Sequence, residues 1–135
     1  MRILVIDDDD DVRTITRLSL GIVGGFDVVE AKDGPEGVEK ALRQPPDLIL
    51  LDVMMPSMDG PQTLAALRSH PSTAAIPVVF LTAKAMRSEV DLLTRLGATG
   101  VLSKPFDPMT LPDQVLGLTS GRSPSAASAP TLPCS

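Results

Sequence analysis

The sequence predicts an α/β fold, a doubly wound five-stranded parallel sheet with helices on both faces. Apolar runs of strand length at Ile3–Ile6, Leu48–Leu51, Val78–Leu81 and Val101–Leu102 are bounded by turn residues, the mark of strands buried on both faces. Between them, helix-like segments alternate with strand-like ones through short connections, which in a βαβ chain gives right-handed crossovers and a parallel sheet. Each run also hands over to a polar group. Asp7 and Asp8 follow the first, Asp52 the second and Thr82 the third, while Lys104 comes within two residues of the fourth.

Taken in order, residues 2–6 form the first strand. Val12, Ile15, Leu18 and Ile22 follow at helical spacing and are expected to face inward, with Gly24-Gly25 as the helix stop. Phe26–Val29 is the second strand. Asp33-Gly34-Pro35 opens the second helix, since proline near the first helical position loses no hydrogen bond, and Pro45-Pro46 ends it. The third strand is placed at 47–51. Asp59 can cap a helix over 60–69 that buries Leu64 and Leu67, and His70-Pro71 closes it.

The fourth strand spans 76–81. Met86, Val90 and Leu93 mark a helix stopped at Gly97, and a short fifth strand lies near 99–102. Pro112 cannot occupy a helix interior, so the last helix, around 109–118, takes it in its first turn and is expected to be short. Five such strands suit the flavodoxin-like order 2-1-3-4-5, whose switch point lies between strands one and three. The domain is thus expected at 1–118. Residues 119–135, rich in Ser, Ala and Pro, are expected to form a disordered tail.

Composition narrows the function. The 135 residues suit one domain, and a 43% hydrophobic fraction supports a real core. Trp and Tyr are absent and Phe occurs three times, so an aromatic stacking platform for single-stranded nucleic acid has little to work with. A net charge of −5 argues against direct nucleic-acid binding, which draws on clustered Lys and Arg. Cys134 is the single cysteine, which fits a reducing compartment. No signal peptide or membrane span is read, so the expected location is cytoplasmic, with no membrane partner.

The carboxyl edge of a parallel sheet is where ligands bind. Neighbouring strands lie about 4.8 Å apart, so groups ending strands one and three can share one ligand. Clustered carboxylates repel one another, and a hard divalent cation such as Mg²⁺ removes that penalty. Asp52 can then act as a nucleophile on phosphorus, with Thr82 and Lys104 facing the phosphoryl oxygens. The remaining acidic residues, Asp9, Asp10 and Asp11, read as charge favouring a helix start. His70 reads as a surface residue, and the glycines lack any P-loop or dinucleotide fingerprint.

Together these residues resemble the receiver domain of two-component response regulators. The resemblance covers about 1–118 and rests on Ile6-Asp7-Asp8, Leu51 to Pro56 through Asp59-Gly60, Leu81-Thr82-Ala83 and Lys104-Pro105-Phe106. It implies that Asp52 accepts a phosphoryl group from a histidine kinase or histidine phosphotransfer protein. It also implies Mg²⁺ ligation by Asp8, Asp52 and the Met54 backbone carbonyl, with Asp7 acting through water. Thr82, Ala83 and Lys104 would form the phosphoryl-binding and switch region, and Lys104-Pro105 would be cis.

At Val101, many receivers carry a switch aromatic, so the readout is expected to differ. With no effector domain read after 118, output would come through an unknown partner, a further relay or a phosphorylation-dependent dimer. Two alternatives stand beside this expectation. One is a receiver-like scaffold indifferent to phosphate. The other is an aspartate-nucleophile phosphatase of the haloacid-dehalogenase type, whose Asp-x-Asp signature would need Asp where the chain has Met54.

Overall fold

A computed structural model of the chain describes residues 1–56, 58–83 and 86–120. Among the described residues, β1 (Arg2–Ile6), β2 (Asp27–Ala31), β3 (Leu48–Asp52), β4 (Val78–Thr82) and β5 (Gly100–Ser103) form one parallel sheet in the order β2-β1-β3-β4-β5. The helices are α1 (Asp10–Leu18), α2 (Gly34–Arg43), α3 (Gly60–Arg68), α4 (Arg87–Arg95) and α5 (Leu111–Ser120). The sheet pairs Ile6 with Leu51, Asp52 with Leu81, and Thr82 with Ser103, which brings the ends of β1, β3, β4 and β5 to one edge.

Alternation along each strand builds two cores, one per face. Leu4, Ile6, Ile49, Leu51 and Phe80 pack with Leu64, Leu67 and Leu93 from α3 and α4. Ile3, Val5, Leu48, Leu50, Val79 and Leu81 pack with Leu20, Leu111 and Val115 on the other side. The central strands β3 and β4 are buried throughout, whereas the edge strands β2 and β5 are not. Val101 and Leu102 are therefore half-buried, and only three of the four apolar runs are buried on both faces.

Local chemistry sets the helix starts. Asp9, Asp33 and Asp59 are the N-caps of α1, α2 and α3, each accepting backbone N–H bonds through its side chain. Asp59 and Gln62 complete a reciprocal capping box, and α2 and α3 carry proline in their first turns. α4 instead starts from Met86, which offers no side-chain cap. Pro112 lies in the first turn of α5, as expected, but that helix has ten residues and runs two positions past 118. The rest of the expected tail, 121–135, lies outside the described residues.

The first helix corrects the sequence reading. Ile15, Leu18 and Ile22 are exposed rather than inward, Ile22 to 77%. Thr16, Ser19 and Leu20 are buried in their place. The Thr16 hydroxyl donates to the Val12 carbonyl at 2.7 Å and the Ser19 hydroxyl to that of Pro108, so neither is an unsatisfied polar group in the core. Past Leu18 the helix passes into a π-helical segment, Ser19–Val23, whose wider turn shifts which positions face the sheet. Gly25, at φ +72°, then takes the left-handed conformation that ends it. Met86 is likewise exposed, leaving Leu93 as the fully buried anchor of α4.

Candidate functional site

β1 delivers Asp7 to the sheet edge almost fully buried, at 1% exposure, while Asp8 beside it is exposed. β3 ends on Asp52, 6% exposed. Carboxylate oxygens of Asp7, Asp8 and Asp52 lie within 4.8 Å of one another. Lys104 reaches between two of them, its Nζ at 3.0 Å from Asp7 Oδ2 and 3.1 Å from Asp52 Oδ1. The peptide bond from Lys104 to Pro105 is cis.

Several contacts fix this cluster. Asp7 Oδ1 accepts from the Asp9 N–H at 2.9 Å, and the Arg13 guanidinium donates to the Asp7 carbonyl at 2.8 Å. Arg13 also pairs with Glu30 at 3.2 Å and with Asp10, tying α1 to β2 behind the acidic turn. The Met54 N–H lies 3.4 Å from Asp52 Oδ1, and the Met54 side chain is exposed. Gly60 packs so closely here that a Cβ would meet the Asp52 carbonyl and the Phe80 ring at 2.7 Å each. Any side chain at position 60 would displace the backbone that carries Asp52.

Burial sets the electrostatics, with the Asp7 charge next in weight. Together they raise the Asp52 carboxyl from 3.8 to about 6, and Lys104 and the Met54 N–H only partly oppose them. For Lys104, burial pushes the pKa down, but the hydrogen bonds and charges of Asp7 and Asp52 outweigh it, and the net displacement is upward. The ammonium thus stays charged and offsets one of three carboxylates. An all-oxygen donor set with surplus negative charge fits a hard divalent cation.

Thr82 is buried at the end of β4, and its hydroxyl donates to Glu89 Oε1 on α4 at 2.7 Å. Ala83 is exposed beside it and lines a groove with Val12, Ile15, Lys104, Pro105 and Phe106. Val101 lies one strand over, half-buried against the core.

A sequence profile for the response regulator receiver domain matches residues 3–116. The chain belongs to the receiver-domain family of response regulators. The alkaline phosphatase synthesis transcriptional regulatory protein PhoP of Bacillus subtilis is 39% identical over 107 residues, covering 79% of this chain and 43% of that protein. A probable chemotaxis protein CheY of Rhizobium etli is 35% identical over 106 residues, 78% of this chain and 82% of its own length. Chemotaxis protein CheY4 of Vibrio cholerae superposes with a TM-score of 0.81 at 32% identity, covering 87% of this chain and 97% of its own. The receiver spans about half the length of several curated relatives, PhoP among them.

Receivers are signalling modules of two-component systems rather than conventional enzymes, and the family binds Mg²⁺ at an acidic pocket. In this receiver Asp7, Asp8 and Asp52 form an acidic cluster at the sheet edge. Glu89 and Arg13 were not legible as site residues. Glu89 reaches Thr82 only through a helix start that no motif marks. Arg13 carries a weak signal, a cation three residues after Asp10 in an acidic first turn, which pointed to a surface pair rather than to the Asp7 carbonyl. Among the described residues no helix is long and apolar enough to cross a membrane.

Proposed function

We propose that Asp52 accepts a phosphoryl group from a phosphohistidine on a partner protein, and that the modified receiver alters its binding to a second protein. The observation that carries this reading is the convergence of three carboxylates and one buried ammonium at the sheet edge. One carboxylate oxygen of Asp52 forms the new bond to phosphorus, the P–N bond to the donor imidazole breaks, and its electron pair stays on that ring. Lys104, already within 3.1 Å of Asp52, faces the charge of the arriving group, so its positive charge is in place before the reaction. Burial of Asp7 and Asp52 excludes water from their rear.

Asp8, Asp52 and the Met54 carbonyl would hold Mg²⁺, with Asp7 supporting through water, and the cation would neutralise phosphoryl charge. The donor's docking face is assigned to the exposed apolar side of α1 and of the π-helical segment that follows it. Ile15, Leu18, Ile22 and Val23 are all exposed there. Ile15 belongs both to this patch and to the groove containing Lys104, Pro105 and Phe106. A surface continuous with the acceptor site is covered by whatever protein delivers the phosphoryl group.

Intact mass after incubation with a small phosphodonor and Mg²⁺ tests the chemistry. A stable adduct supports the reading, rapid turnover without one would favour a phosphatase, and no reaction would favour a phosphate-independent scaffold. Ile15→Asp tests the docking face. It should slow transfer from a phosphorylated histidine phosphotransfer protein at least tenfold, since a buried aliphatic contact is worth about 1.5–3 kcal/mol. Labelling by the small donor should be unchanged, and equal slowing with both donors would remove the docking assignment.

A further inference from the structure

Glu89 belongs to no motif of the acceptor site, yet its carboxylate holds a hydroxyl that the site is built to use. Thr82 ends β4 immediately after Leu81, the register partner of Asp52. Its hydroxyl, buried to 3% exposure, donates to Glu89 Oε1 at 2.7 Å. Glu89 is the third residue of α4, and that helix starts at Met86 without a side-chain cap. The contact therefore fastens the acceptor edge of the sheet to a helix turn that lacks the aspartate anchor of α1, α2 and α3.

A threonine hydroxyl has one hydrogen to give, and ionised carboxylates and phosphoryl oxygens both accept without donating. Glu89 and a phosphoryl group on Asp52 thus compete for the same donor. We infer that Glu89 is a positioning residue that retains the Thr82 hydroxyl in the unmodified protein, so that phosphorylation must break the Thr82–Glu89 bond and free the first turn of α4. The inference rests on the phosphoacceptor reading of Asp52. It gives the switch a differential contact, present in one state and absent in the other, which any ligand-driven shift requires. It also makes the switch independent of a rotating aromatic.

Affinity for beryllofluoride, a phosphoryl mimic, in the presence of Mg²⁺ measures the competition. Removing a charge-assisted acceptor from the unmodified state in Glu89→Ala should tighten binding by about tenfold. Glu89→Gln, which keeps the shape and a weaker acceptor, should fall between. In a Thr82→Ala background the gain from Glu89→Ala should vanish, because the shared hydroxyl is gone. In the free protein, Glu89→Ala should also redistribute the Thr82 side-chain rotamer seen in scalar couplings.

Unchanged beryllofluoride affinity in Glu89→Ala, with normal thermal unfolding, would overturn the inference. An equal gain with and without the Thr82 hydroxyl would overturn it too, since the effect would then be loss of a negative charge near the pocket. Failure of the wild-type protein to bind beryllofluoride would remove the phosphoacceptor reading itself, and this inference with it.

Discussion

The two halves of the sheet's carboxyl edge are held differently. At the ends of β1 and β3, Asp7 bonds Lys104 and the Asp9 N–H, and Arg13 clamps its carbonyl. Asp52 bonds Lys104 and rests against Gly60. At the end of β4, Thr82 is tied to Glu89 on an uncapped helix, and Val101 beside β4 is half-buried in the edge strand β5. The first half resembles a preorganised reaction site, where charge-stabilising groups gain by not moving. The second resembles a switch, where few and breakable contacts let a small change in free energy select between arrangements. The two halves meet between the adjacent strands β3 and β4, about one strand spacing apart, and Lys104 reaches across from beyond β5.

Asp52→Asn should have the greatest effect. If the acidic half alone carries the chemistry, the mass adduct formed with a small phosphodonor should disappear entirely. Labelling that persists in the variant would mean that another carboxylate of the cluster is the acceptor and that burial does not define the reactive group.

Lys104→Ala comes next in size. Loss of a preorganised charge stabiliser costs about 10²–10³ in rate. Mg²⁺ affinity should hold or rise, because the ammonium that competes for Asp7 and Asp52 is gone. Phosphorylation kinetics beside a metal titration separate the two effects. A parallel loss of both would indicate that Lys104 serves only to hold the site together.

How much of this contrast could be read from the sequence follows the same division. Asp7, Asp8, Asp52, Thr82 and Lys104 were legible because each follows an apolar run directly or within two residues, and parallel strands place their ends together. The alternation of elements predicted a doubly wound parallel sheet, and five strands suit the order 2-1-3-4-5 that the structure has. α1 was misread because apolar periodicity cannot see that Thr16 and Ser19 bury their hydroxyls on backbone carbonyls, nor that a π-helical segment shifts the facing positions. Glu89 was invisible for a related reason. Its role depends on where an uncapped helix begins, and helix boundaries are set by tertiary contacts as much as by local signals.

A third prediction uses the raised carboxyl. Without metal, Asp52 titrates near 6 in the folded protein against 3.8 in the unfolded chain, so the folded state binds the proton more tightly. Its contribution to stability is fully present below about pH 4 and is lost as pH rises through 6. A carboxyl raised from 3.8 to about 6 bounds the effect at about 3 kcal/mol, so Asp52→Asn should stabilise the metal-free receiver by about 1–3 kcal/mol at pH 8. Below pH 4 the difference should close. Urea unfolding at both pH values in a chelator tests this, and equal stability at pH 8 would mean that the buried charge is better compensated than the geometry indicates.

The smallest expected effect falls on Val101. Its register partner on β4 is Phe80, and it packs against the α3/α4 side of the core without filling it, being half-buried. A valine has one χ angle and cannot sweep between an exposed and a buried position, so it offers the switch no second state of its own. Val101→Ala should therefore change beryllofluoride affinity by less than about twofold, while Glu89→Ala changes it more, since only the latter removes a contact that differs between the states. Backbone shifts on adding beryllofluoride and Mg²⁺ should accordingly centre on 82–83 and 86–90, where β4 meets the start of α4. Shifts centred instead on 100–103 would place the moving part in β5. The division of the edge would then run between β4 and β5 rather than between β3 and β4.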